Sequence, residues 1–127
     1  MTRELKFRVW DEDKNKMRRP DTIKEMIETQ NLKIPEGEER FIMQYTGLLD
    51  KNGVEIYEDN VVEYHGKELD HVETPFVSKV SFVSGAFMVS VVDKNHPKTI
   101  EHSYGIGTLA REDLEVIGNV HEDKNLL

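Results

Sequence analysis

Met43-Gln44-Tyr45-Thr46-Gly47-Leu48-Leu49-Asp50-Lys51-Asn52-Gly53-Val54-Glu55-Ile56-Tyr57-Glu58-Asp59-Asn60-Val61-Val62 reads as strand, tight turn, strand, second turn, strand. Phe41, Met43 and Tyr45 alternate with Ile42, Gln44 and Thr46, the period of two that marks a half-buried strand. Asp50-Lys51-Asn52-Gly53 fits a type I turn closed by a residue with positive φ. Asp50 can accept from the backbone two residues on, and Gly53 takes the left-handed position without a Cβ clash. Val54 and Ile56 resume the alternation, and Asp59-Asn60 turns the chain into Val61-Val62-Glu63-Tyr64.

Towards the C-terminus, Phe76 to Val83 reads as a strand with Phe76, Val80 and Phe82 on one face. Ser84-Gly85 is a two-residue hairpin signal. Ala86 to Val92 is a nearly continuous apolar run, the pattern of a strand covered on both faces, where a second copy of the chain could supply one cover. Ile100, His102 and Tyr104 share a face of a further strand, and His102 is expected to be hydrogen-bonded and partly buried. Thr108 to Leu114 has the make-up of one helical turn. Glu115-Val116-Ile117-Gly118-Asn119-Val120 closes the sheet, with Gly118 marking a bulge or close backbone approach. The tail ends in Leu126-Leu127, which either fray or anchor on a neighbour.

Towards the N-terminus, Leu5, Phe7 and Val9 alternate with Lys6, Arg8 and Trp10, so a strand with Leu5, Phe7 and Val9 inward is expected. Trp10 then falls on the polar face, where it covers either a satellite core or another subunit. Thr22 and Glu25 have the spacing of a capping box, with Asp21 as a competing cap. Ile23, Met26 and Ile27 give a narrow apolar stripe, so a helix of about ten residues docked on the sheet is expected from Thr22 to Asn31.

The 127 residues contain no cysteine, which excludes a disulfide scaffold, a thiolate metal site and a cysteine nucleophile. No apolar run can span a bilayer and the N-terminus lacks a signal-peptide core, so a cytoplasmic protein with no membrane partner is expected. The apolar fraction of 37% fits a small barrel or an oligomer with much polar surface. The net charge of −8 lies entirely in residues 41–127, which disfavours phosphate contact there. Residues 1–19 carry a net +3, so Lys16, Arg18 and Arg19 are the place where nucleic acid could touch, unless they pair with the acidic remainder.

His65, Asp70 and His71, with Glu73, are of metal-ligand type, but their spacing matches no motif and a polar loop holds ligands poorly. Gly105-Ile106-Gly107 lacks the third glycine and following lysine of a phosphate cradle. No nucleophile elbow and no helical His pair is present. No catalytic residue, metal or cofactor is assigned, and the chain is expected not to be an enzyme.

Three blocks carry a family resemblance. The stretch from Met43 to Glu58 resembles the signature of the YopX family, Arg3 to Asp11 resembles that family's opening, and Glu115 to Val120 its close. The chain departs from the pattern at Asp59-Asn60, where the family usually has Gly-Asp. Asn tolerates the left-handed conformation, so the turn is expected to survive in altered form. The family occurs in phages and prophages of Gram-positive bacteria. The resemblance implies a mainly β fold with an SH3-type small barrel, to which the residue patterns above add one short N-terminal helix and a long hairpin. It implies one domain over residues 1–127, with strand and helix in 1–40 and the barrel in 41–127, and no established activity. The expected function is a non-catalytic interaction or structural module that self-associates or binds a host or phage protein. Trp10, Val89, Val91, Leu126 and Leu127 are the candidate interface; the alternative is a nucleic-acid accessory factor acting through the basic segment.

Overall fold

The turn at Asp50 ties the hairpin it closes to the strand that holds Val116. Gly53 has φ +81° and its N–H bonds Asp50 O at 3.1 Å. Asp50 Oδ1 accepts from Asn52 N at 2.8 Å and Val54 N at 2.9 Å. Its Oδ2 accepts from Val116 N at 2.8 Å, 66 residues along the chain. A Cβ on Gly53 would meet only Arg111 Nη2, at an ordinary 3.7 Å. Gly53→Val is therefore expected to cost about 1–2 kcal/mol through the backbone alone. Urea denaturation checks this, and an unchanged midpoint would remove the positive-φ role of this residue.

The computed structural model describes residues 4–22, Glu25, Glu28 and residues 41–127. The strands are β1 (Lys6–Asp11), β2 (Lys16–Met17), β3 (Asp21–Thr22), β4 (Ile42–Leu49), β5 (Glu55–Tyr57), β6 (Asn60–Tyr64), β7 (Phe76–Lys79), β8 (Ser81–Val83), β9 (Ala86–Val92), β10 (Glu101–Gly105) and β11 (Leu114–Asn119). Among the described residues they form three antiparallel sheets: β2-β1-β4-β5 with β3 also on β1, β10-β9-β8, and β11-β6-β7. The fold is mainly β, with sheet curled into a half-barrel. The expected helical turn before β11 is present as two short 3₁₀ turns, Ile106–Thr108 and Arg111–Asp113. The bulge expected at Gly118 is present as a register shift between Val116 and Gly118.

One core gathers Ile56, Val62, Tyr64, Val72, Phe76, Val80, Val89, Ile106 and Leu114. A second, smaller one holds Trp10, Met43, Tyr45 and Tyr57. The helix expected from Thr22 to Asn31 has its stripe, Ile23, Met26 and Ile27, outside the described residues. Among the described residues, Thr22 Oγ1 accepts from Glu25 N at 3.0 Å, one of the two bonds of a capping box, and donates to Glu25 Oε1 at 3.1 Å.

Four expectations are corrected. First, β1 packs through its polar face. Arg8 stands opposite the fully buried Met43 on β4, and the next residue on that face, Trp10, is 2% exposed, whereas Leu5 is exposed. The cationic side chains cover aromatic rings: Lys6 Nζ lies 5.4 Å from the Tyr45 centroid and Arg8 Cζ 4.3 Å from that of Tyr57. Their aliphatic stems do the work of an apolar face.

Second, Phe76 to Val83 is not one strand. Val80 N bonds Asn60 O at 2.8 Å and Val80 O accepts from Asp59 N at 2.9 Å. This clasp ends β7 on β6, and β8 then pairs with β9. Phe82 stands opposite Phe87 near the β8–β9 tip, beyond the core, and is 52% exposed.

Third, the chain itself covers only one face of β9: Val89 is fully buried but Ala86 and Val92 are exposed. Fourth, it is Asp59, not Asn60, that takes the left-handed conformation, with φ +66°. Asn60 instead accepts from Tyr57 N at 2.7 Å and donates to Gly118 O at 3.1 Å, tying the turn to β11.

Candidate functional site

Asp93 closes β9 and is 3% exposed. Its Oδ1 accepts from Asn95 N at 2.8 Å and His96 N at 3.0 Å, the geometry of an Asx turn. Its Oδ2 faces His102 Nε2 at 2.8 Å. That hydrogen bond from His102 outweighs burial and, with the two turn N–H groups, holds the Asp93 carboxyl down at about 2. The His71 ring stacks on His102 with centroids 5.9 Å apart, and His71 O accepts from Lys94 N at 2.8 Å. A carboxylate oriented on an imidazole is two-thirds of a hydrolytic triad. The nearby hydroxyl pair, Ser90 and Ser103 at 3.0 Å, sits one residue out of phase with His102 on β10, hence on the opposite face. The arrangement anchors the 65–75 loop to the β9–β10 hairpin, and His102 is the hydrogen-bonded, partly buried side chain that was expected.

His65 goes elsewhere. Among the described residues, the one set of three His and carboxylate side chains with ligand atoms within 4.8 Å of one another is Glu63, His65 and Glu115. His65 Nε2 lies 2.7 Å from Glu63 Oε1 and 3.9 Å from Glu115 Oε1. Asp70 and His71 are not in that set. Sequence reasoning missed Glu63 and Glu115 because they lie in ordinary strand alternation, and only the β6–β11 register sets them opposite each other.

The expected interface residues are scattered. Trp10 is buried within the chain and stacks on His121 at 5.7 Å. Val89 is fully buried and presents no surface, and Val91 packs against the core. Leu126 lies over Gly118, where an added Cβ would meet its Cδ1 at 2.6 Å. Leu127 is 69% exposed. Among the described residues, the large exposed apolar ones are Leu127 and, outside the expected set, Phe82, Val83, Val92, Ile100, Val54 and Leu5. Phe82 and Val83 flank the Ser84-Gly85 turn, whose φ values of +52° and +82° are those of a type I′ hairpin. Val83 and Leu127 border one shallow depression with Ser90 and Glu101. The signal available in the sequence was the turn itself: residues beside a two-residue hairpin tip stand away from the core.

In the basic segment Lys16 stands opposite Asp11 in the β1–β2 ladder. Arg18 Nη2 lies 3.3 Å from Asp11 Oδ2, and Arg19 Nη2 3.5 Å from Asp21 and 3.3 Å from Glu25. These cations are interleaved with acids and form no single-sign face. Among the described residues, no helix is long and apolar enough to cross a membrane.

No curated protein matches the chain. Among solved structures it is similar in fold to the crystal structure of protein EF1440 from Enterococcus faecalis. The TM-score is 0.52 at 24% identity, over 97% of each chain. The family model described as YopX protein matches residues 6–127, which takes in β1, the Asp50 hairpin and the closing strand, and the chain belongs to the YopX family.

Proposed function

We propose that this chain is a non-catalytic protein-interaction module of phage or prophage origin, acting in the bacterial cytoplasm and self-associating through the β8–β9–β10 sheet. The observation that carries this reading is the exposure of Phe82, Val83, Val92, Ile100 and Leu127, five large apolar side chains on or beside that sheet. Phe82 and Val83 stand at the β8–β9 tip and Val92 and Ile100 at the other end of β9, so the sheet offers exposed apolar side chains at both ends, as contact surfaces do. Phe82 and Phe87 make an edge-on ring pair at 5.0 Å, the kind of rigid aromatic anchor that interfaces favour. The curled sheet is read as an SH3-type barrel, a small fold used for docking; that part is analogy of fold. Asp93 supports a non-catalytic reading, since both its oxygens are engaged by its own turn and His102.

Sedimentation at tens of micromolar tests the proposal. The wild type is expected to show concentration-dependent mass. Phe82→Asp with Val83→Asp is expected to give a folded monomer, because neither side chain is in a core, with a small drop in melting temperature from the lost Phe82–Phe87 ring contact. A wild type that stays strictly monomeric removes self-association. A pull-down from phage-infected or prophage-induced cells, with and without nuclease, then identifies a host or phage partner. A catch lost on nuclease treatment moves the function to nucleic acid and to Lys16, Arg18 and Arg19.

A further inference from the structure

We infer that Glu63, His65 and Glu115 form a divalent-cation site, of the borderline-soft class typified by Zn²⁺. Glu63 and Glu115 are directly opposed residues of the antiparallel β6–β11 pair. Like charges at such positions destabilise a sheet, and a cation between them removes the repulsion. His65 follows β6 and its N–H is fixed to Asp113 O at 2.8 Å, so the imidazole is held beside both carboxylates. One imidazole nitrogen and two carboxylate oxygens are a recognised donor set for zinc and for neighbouring first-row metals. Magnesium and calcium prefer oxygen alone.

The geometry is close to what binding needs. Two donors on a tetrahedral zinc, with bonds of about 2.0–2.1 Å, stand about 3.3 Å apart. Here His65 Nε2 is 2.7 Å from Glu63 Oε1 and 3.9 Å from Glu115 Oε1. One separation opens and the other closes by about half an ångström, within the reach of side-chain torsions. All three side chains are about one-third exposed, so a hydrated ion can enter and keep a water ligand.

Two side chains of the Asp50 turn orient Glu115. Lys51 Nζ lies 3.6 Å and Asn52 Nδ2 3.4 Å from Glu115 Oε2. They take that oxygen and leave Oε1, the one towards His65, for the metal; outer partners of this kind orient metal carboxylates.

The test uses the tag-free full chain, stripped with chelator and titrated with ZnCl₂ by calorimetry, with melting followed in parallel. The expected result is one equivalent bound with a rise in melting temperature. His65→Ala and Glu115→Gln should each weaken binding at least about tenfold. His71→Ala with His102→Ala should bind as wild type. Glu115→Gln is expected to melt no lower than wild type without metal, since it removes one of two opposed charges. Absence of heat and of any melting shift in the wild type overturns the inference. Equal binding by His65→Ala, or loss of binding in the His71/His102 variant, also overturns it by placing the ion elsewhere.

Discussion

Asp50→Ala is expected to destabilise the protein by about 3–5 kcal/mol, measured by urea denaturation, and to be among the most damaging single changes in the chain. The carboxylate is fully buried and accepts three backbone N–H bonds, two from its own turn and one from Val116. Truncation leaves three donors without a partner and cuts the link between the hairpin and β11. The other links at this point, Lys51 N to Leu114 O at 2.9 Å and Arg111 Nε to Asp50 O at 2.7 Å, involve the main chain of residues 50 and 51 and survive the substitution. They should let the variant fold at low temperature, so the loss can be measured. Asp50→Asn should fall between the two, since its amide must turn one N–H towards a backbone donor.

The same residue has a pH signature. Burial pushes the Asp50 carboxyl up, but the N–H groups of Val116, Val54 and Asn52, with the Arg111 charge, together hold it below the usual carboxylate range. A depressed folded-state pKa means that Asp50 stabilises fully above the unfolded carboxylate value of about 4. Its contribution fades as pH falls through the lowered folded value. Asp93 has the same sign and stays ionised down to about 2. Glu58 has the opposite sign, because burial and the Asp59 charge raise it against the bond from Gln44 N. The wild type should therefore lose stability steeply below pH 4, and Asp50→Asn should lose it less steeply. Parallel acid curves for the two proteins would remove this account of Asp50.

What could be read in the chain follows the range of the forces involved. The Asp50–Gly53 turn, the Ser84–Gly85 turn and the Gly118 bulge were legible because each depends on residues within four positions. The second oxygen of Asp50 was not, because Val116 reaches it only after β11 has returned beside the turn. The break at Val80 was hidden for the same reason: continuous alternation from Phe76 to Phe82 gives no sign that Asp59 and Asn60 will claim the Val80 backbone. That single clasp moved Phe82 from core to surface and so moved the proposed interface from Trp10 and Val89 to the β8–β9 tip. The Glu63–His65–Glu115 cluster likewise exists only through a strand register. Hydrophobicity failed outright at β1, where Lys6 and Arg8 lie against aromatic rings while Leu5 is exposed.

Trp10→Ala is expected to lower stability by about 3–5 kcal/mol, the range for deleting a buried large aromatic. Trp10 is one of the four buried residues of the smaller core. Its ring packs with Met43, Tyr45 and Tyr57, stacks at 19° on His121 from the tail, and its Nε1–H donates to Glu12 Oε2 at 2.9 Å. His121 is itself held by Asp59 at 3.0 Å, so the cavity would loosen the tail and the Asp59 turn together. Trp10→Phe keeps a stacking ring and loses the charged hydrogen bond, and should cost about 1–3 kcal/mol. Trp10 is also the chain's single tryptophan, so its fluorescence reports this site alone. If the indole is buried within one chain, its emission should stay that of a water-excluded ring across the dilution that dissociates any oligomer. The Phe82→Asp and Val83→Asp monomer should have the same spectrum. A red shift on dilution would show that a second copy covers Trp10. The self-association surface would then have to include β1 as well as the β8–β9 hairpin.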